Sequence, residues 1–192
     1  DYLAAHSAII RNLLAENKLD EASKEIDAMK QIAPNHPQTQ FLRASLSYQQ
    51  KDYPAARDAI LLHLKFLPES PLGLQLAGLI EYDAGAYGPA ETYLLKAVPR
   101  TPPLGIARRA LISSYLRDGQ PSKALGVLEP VLDKIDKDSN MLALAGQVYL
   151  QNGQVDKAGT YFAKASALDP KSAGKRTSLA MVNLAKGESD VA

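Results

Sequence analysis

The chain has 192 residues, 46% of them hydrophobic and 22% charged, with a formal net charge of +1. That balance supports an ordered chain with ample core and gives no general electrostatic drive toward nucleic acid or an anionic membrane. The absence of cysteine excludes disulfides and thiolate chemistry in either redox compartment, and no apolar run is long enough to span a bilayer.

In chain order, IIRNLLAENKLDEASKEIDAMKQIAP predicts two short helices, with Asp20 capping the second. The outer face of that second helix carries Asp20, Glu21, Lys24, Glu25, Asp27 and Lys30, a mixed charge run that reads as solvated. Pro37 opens the next pair as a first helical residue, and this is the most aromatic segment, with Phe41, Tyr48, Tyr53 and Phe66. Ser70 as cap and Pro71 in the first turn begin a third pair containing Tyr82, Tyr87 and Tyr93. Then VPRTPPLG, residues 98–105, must end a helix near Val98 and produce an irregular link. Arg100, Arg108, Arg109 and Arg117 lie in or near the helix that follows, and Pro130, one turn after Gly126, predicts a kink near Glu129. The most regular stretch is LALAGQVYLQNGQVDKAGTYFAKASALDP, residues 142–170. It places Leu142, Ala145, Gly146 and Tyr149 at helical spacing, Gly153 at the stop, Asp156 as cap, Ala158, Phe162 and Ala165 on the second helix, and Pro170 at its end. A last first-helix, LAMVNLAKG, ends at Gly187.

These pairs share one register. Pro34, Pro68, Pro102 and Pro170 fall on a 34-residue period with Asp136 in the remaining slot, and Ala22, Ala56, Ala90, Ala124, Ala158 and Ala192 fall on the same period. Gly85, Gly119, Gly153 and Gly187 hold the helix-stop slot, which Asn17 and Lys51 occupy earlier. Small residues at facing positions predict close helix crossings, with Ala56 against Ala44, Ala90 against Gly78 and Ala158 against Gly146. Ile10 and Ile112 in the small slot predict wider or rotated crossings in repeats one and four. Helices of about 13 residues are marginal alone in water, so stacking must stabilise them.

This period and residue pattern resemble the tetratricopeptide repeat family along essentially the whole chain. The resemblance implies an all-α fold, a right-handed α-solenoid (superhelix) of antiparallel helix hairpins. The repeats would run 3–36, 37–70, 71–104, 105–138 and 139–172, with a partial sixth over 173–192. Neither end reads as a polar capping repeat, so the expectation is a single array that is part of a longer one.

Catalytic chemistry finds no pattern to rest on. His6, His36 and His63 fall in a first helix, a loop and a second helix without ligand spacing, and His63 sits in a slot that is alanine in repeats three and five, which predicts a packed core histidine. There is no glycine-rich phosphate loop and no serine on a strand-to-helix turn. The expectation is no enzyme, no cofactor and no metal.

What the resemblance implies is a groove lined by first helices. Its slots correspond to Ser7, Arg11 and Leu14; Gln38, Phe41, Ser45 and Tyr48; Leu72, Gln75, Leu79 and Tyr82; Ile106, Arg109, Ser113, Leu116 and Arg117; and Asn140, Gln147, Leu150 and Gln151. The predicted groove has an apolar, aromatic middle beside an arginine cluster. Tyr48 and Tyr82 equally suit packing between adjacent first helices. Arg109 and Arg117 suit either solvation or a grip on a carboxylate, phosphate or uronate. The Lys, Asn and Arg set with which some family members clamp chaperone tails is absent, so no such binding is expected.

The segments QFLRASLSYQQKDYPAARDAI and LALAGQVYLQNGQVDKA are also similar to bacterial multi-repeat lipoproteins of exopolysaccharide and exosortase (PEP-CTERM) systems. That implies an assembly role at the cell envelope, on the periplasmic face and with a lipid-anchored parent; the cytoplasm is the alternative. Three functions follow: a scaffold for a peptide or protein segment, a module that stacks tyrosines on an acidic polysaccharide, or a spacer or oligomerisation element with no groove ligand.

Overall fold

The computed structural model describes residues 2–186, and the description of side chains ends at Leu184. Eleven α-helices occur among the described residues, and no strand. They are α1 (Tyr2–Ala15), α2 (Leu19–Ile32), α3 (Pro37–Gln49), α4 (Tyr53–Phe66), α5 (Pro71–Asp83), α6 (Tyr87–Ala97), α7 (Ile106–Arg117), α8 (Pro121–Leu128), α9 (Ser139–Gln151), α10 (Val155–Leu168) and α11 (Ala173–Lys186). Short 3-10 segments follow α6 (Val98–Arg100) and α8 (Glu129–Lys134). Both contain the predicted prolines, Pro99 and Pro130, whose missing N–H groups end regular α bonding there.

The chain divides into two compact units at the proline-rich link, the first ending at Thr101 and the second beginning at Pro102. In the first, α1/α2, α3/α4 and α5/α6 are antiparallel hairpins, and α3 also touches both α1 and α5, so first helices neighbour one another. In the second, α7/α8 and α9/α10 are hairpins, α7 touches α9, and α11 packs on α10.

The repeat slots behave as their chemistry requires. Ala22, Ala56, Ala90, Ala124 and Ala158 are all fully buried; Ala192 and Gly187 lie outside the described residues. The helix-stop slot is left-handed throughout, with φ of 58° at Asn17, 61° at Lys51, 78° at Gly85, 68° at Gly119 and 74° at Gly153. Ile10 and Ile112 are fully buried, and the backbones of α1/α2 approach less closely than those of α3/α4 and α9/α10, pairs of similar length.

Two crossings are refined and two expected caps are corrected. A Cβ on Gly78 would sit 2.5 Å from Leu94, and one on Gly146 2.7 Å from Phe162. The glycines therefore leave room for the large residue one turn beyond the register alanine. Asp20 and Asp156 are not caps: the N-cap residues are Lys18 and Gln154, neither with a side-chain cap bond, and the two aspartates lie in the first turn. There they act on the helix dipole instead. The cap in this slot is Asp52, whose carboxylate accepts the Ala55 N–H at 3.1 Å.

Polar side chains tie the hairpins together. Arg57 of α4 grips the buried Glu81 of α5 with two parallel bonds, each 2.6 Å, and this pairing raises the guanidinium's pKa. In the second unit Arg108 donates to the Val127 carbonyl at 2.7 Å, in the last turn of α8, and burial lowers its pKa. Lys175, almost buried, bonds Ser139 at 2.9 Å and Asp169 at 2.8 Å, and the latter contact lowers the aspartate's pKa.

Candidate functional site

In the first unit the first helices place Gln38, Phe41, Ser45 and Tyr48 on α3, and Leu72, Gln75, Leu79 and Tyr82 on α5. A cleft of about 220 Å³ brings together Gln38, Phe41 and Leu72 with Arg11, His63, Leu67 and Ser70. A second concavity of about 330 Å³ shares Arg11 and Gln38 and adds Leu3, Ala4, Ser7 and His36. Leu72 is 60% exposed, a leucine held out at the mouth of the cleft by the first turn of α5. Leu14, placed in the groove by its slot, is instead buried with Ile10, Ile26 and Leu42.

The floor of the cleft is built by a chain of hydrogen bonds. His63 Nδ1 lies 2.9 Å from the Pro37 carbonyl, which can only accept, so Nδ1 carries a proton. In the neutral ring Nε2 then accepts from the Ser70 hydroxyl at 3.0 Å, while Ser70 Oγ accepts the Gly73 N–H at 3.1 Å and so caps α5. Phe41 packs against this imidazole with ring centroids 5.3 Å apart. A Cβ on Gly73 would meet His63 at 2.6 Å, so glycine is required where α5 passes the ring. The histidine is a buried structural element, as its slot predicts, but it also forms one wall of the cleft.

The tyrosines are engaged with their own fold. Tyr48 packs against the α3–α5 core and its hydroxyl donates to the Asp83 carboxylate at 2.5 Å, joining α3 to α5. Burial, and then this hydrogen bond, push the phenol's pKa well up. Tyr82 packs on Tyr87 with centroids 5.8 Å apart. Ser45 turns its hydroxyl back onto the Phe41 carbonyl at 2.9 Å; Gln75 and Leu79 are half-buried on α5.

Arg109, Ser113 and Arg117 belong to α7 in the second unit. Arg109 is not a free cation: it donates to Asp138 at 2.7 Å, and Asp138 also caps α9 through the N–H groups of Asn140 and Met141. Ser113 is half-buried, and Arg117 is exposed at the end of α7 with no ion pair among the described residues.

The histidines hold separate posts. His6 pairs with Glu25 at 2.6 Å, and His36 caps α3 by accepting the Gln38 N–H at 3.2 Å. Among the described residues no three histidines or carboxylates cluster as metal ligands, and no helix is long and apolar enough to cross a membrane. The cleft residues outside the predicted groove slots are His63, Leu67 and Ser70. Leu67 and Ser70 come from the loop between hairpins, which a first-helix register does not include.

Successive antiparallel hairpins whose first helices neighbour one another define a helical-repeat protein. The family profile described as tetratricopeptide repeat matches residues 115–180. The other hairpins carry the same 34-residue register as the matched stretch. The chain's fold is similar to that of PilW, a widely conserved type IV pilus biogenesis factor, with 16% identity over 98% of this chain and 88% of that one and a TM-score of 0.86. PilF of Pseudomonas aeruginosa is similar over 99% and 86% of the two chains, with 14% identity and a TM-score of 0.84. YrrB, described as a TPR protein with an unusual peptide-binding site, is similar over 86% of each chain, with 17% identity and a TM-score of 0.72. No curated protein sequence matches the chain.

Proposed function

We propose that the protein is a non-catalytic scaffold that holds a peptide or protein segment against its first-helix face, within a bacterial envelope assembly. The observation that carries this reading is the 220 Å³ cleft, in which Gln38, Phe41 and Leu72 from two successive first helices converge beside Arg11. Concave sites with an apolar wall and a few convergent polar groups are where ligands bind. The envelope context is supported by the likeness of two sequence segments to envelope lipoproteins and by the fold shared with a pilus biogenesis factor. The engagement of Tyr48 and Tyr82 by their own neighbours favours a peptide over a stacked sugar.

The test is a pull-down from envelope and cytosolic extracts with the wild type, Leu72→Asp and Arg117→Glu. Both residues are exposed, so both variants keep the fold, which circular dichroism checks. A partner enriched from the envelope and lost with Leu72→Asp is the expected result. A partner retained by both variants moves the site off the first helices, and one found only in the cytosol removes the envelope assignment.

A further inference from the structure

We infer that the segment held by the first unit is acidic, with a carboxylate meeting Arg11 and an adjacent apolar side chain entering between Phe41 and Leu72. This rests on the scaffold reading above and specifies its ligand.

Arg11 lines both concavities of the first unit, and no aspartate or glutamate lines either. Among the described residues it makes no ion pair or hydrogen bond, whereas arginines elsewhere in the unit are occupied. Arg43 donates to Gln40 at 2.9 Å, Arg57 is held twice by Glu81, and Arg100 pairs with Glu69. The cleft imidazoles are committed as well, His36 to the Gln38 N–H and His63 to Pro37 and Ser70. One unneutralised guanidinium thus stands where two concavities meet. Such a fork pairs best with a planar carboxylate. Beside it the wall turns apolar: Phe41 is fixed against His63, and Leu72 projects into solvent. An exposed leucine next to an unpaired arginine is complementary to an acidic residue followed by an apolar one. A free inorganic anion would leave the apolar wall uncovered.

The experiment selects peptides from a displayed random library on the full chain, then measures synthetic versions of the enriched peptides by fluorescence anisotropy. The expected peptides carry Asp or Glu beside Leu, Ile, Phe or Met. Arg11→Glu weakens them by roughly tenfold, the scale of one charge-assisted contact. Replacing the peptide's acid by lysine restores binding to Arg11→Glu, and Leu72→Ser weakens both pairings. Enriched peptides that lack an acid, or that bind Arg11→Glu as well as wild type while still losing affinity to Leu72→Ser, overturn the acidic ligand and leave the scaffold reading standing. Peptides indifferent to both variants, or a pool no richer than one selected on a blank surface, overturn both.

Discussion

At the scale of single residues, Lys51 is the clearest strain in the repeat. It turns the chain between α3 and α4 at φ 61°, where three later repeats use glycine and the first uses asparagine. A side chain at positive φ crowds the following carbonyl, a cost of about 1 kcal/mol that glycine avoids. Lys51→Gly is expected to raise unfolding stability by about 0.5–1 kcal/mol, read as a higher urea midpoint with an unchanged slope. Tyr48 makes a different prediction. Burial and the Asp83 carboxylate hold its phenol protonated in the fold beyond the range where an unfolded tyrosine ionises. The folded pKa is raised, so its stabilising contribution is complete below about pH 10 and is lost as pH rises above it. Chemical denaturation between neutral and strongly alkaline pH should show the wild type losing stability more steeply than Tyr48→Phe.

Elements are set by what meets at each helix crossing, and the glycines separate two cases. Gly146 on α9 faces the buried ring of Phe162 on α10, with no room for a methyl group. Gly126 on α8 is exposed and has nothing within 4 Å of a built Cβ. Gly146→Ala should therefore destabilise by about 1–3 kcal/mol through overpacking. Gly126→Ala should stabilise by up to about 1 kcal/mol through helix propensity. Thermal unfolding of the two variants reads opposite signs, and equal signs would show that propensity outweighs packing at the crossing. The same distinction shows what was legible beforehand. The period, the register alanines, the left-handed stop slot and the proline breaks at Val98 and Glu129 all follow from residue type. Which residue fills the space above Gly78 or Gly146 does not, because it depends on how far one helix slides along the other. Caps were similarly hidden: Asp20 and Asp156 look like N-caps, yet each helix begins two residues earlier than their chemistry suggests.

For the whole molecule, repeat arrays carry stability as hairpin terms plus nearest-neighbour terms. Gly78 and Gly146 lie in different compact units and share no facing residue. The cost of Gly78→Ala and Gly146→Ala combined should equal the sum of the single costs to within about 0.5 kcal/mol. A larger discrepancy in equilibrium denaturation would reveal coupling beyond neighbouring hairpins.

The one-dimensional sequence determined the fold class, the 34-residue repeat and the set of first-helix slots, because side-chain size and backbone conformational preference act locally and recur. More of the candidate cleft than not was legible in the same way, since Arg11, Gln38, Phe41 and Leu72 occupy those slots. Tertiary structure alone decided which polar groups remain free. Arg109 and Tyr48 promised a ligand contact but found Asp138 and Asp83, residues 29 and 35 positions away. Arg11 found none. Whether a charge is spent inside the fold or left for a partner depends on distances between remote side chains, and spacing along one chain does not encode them.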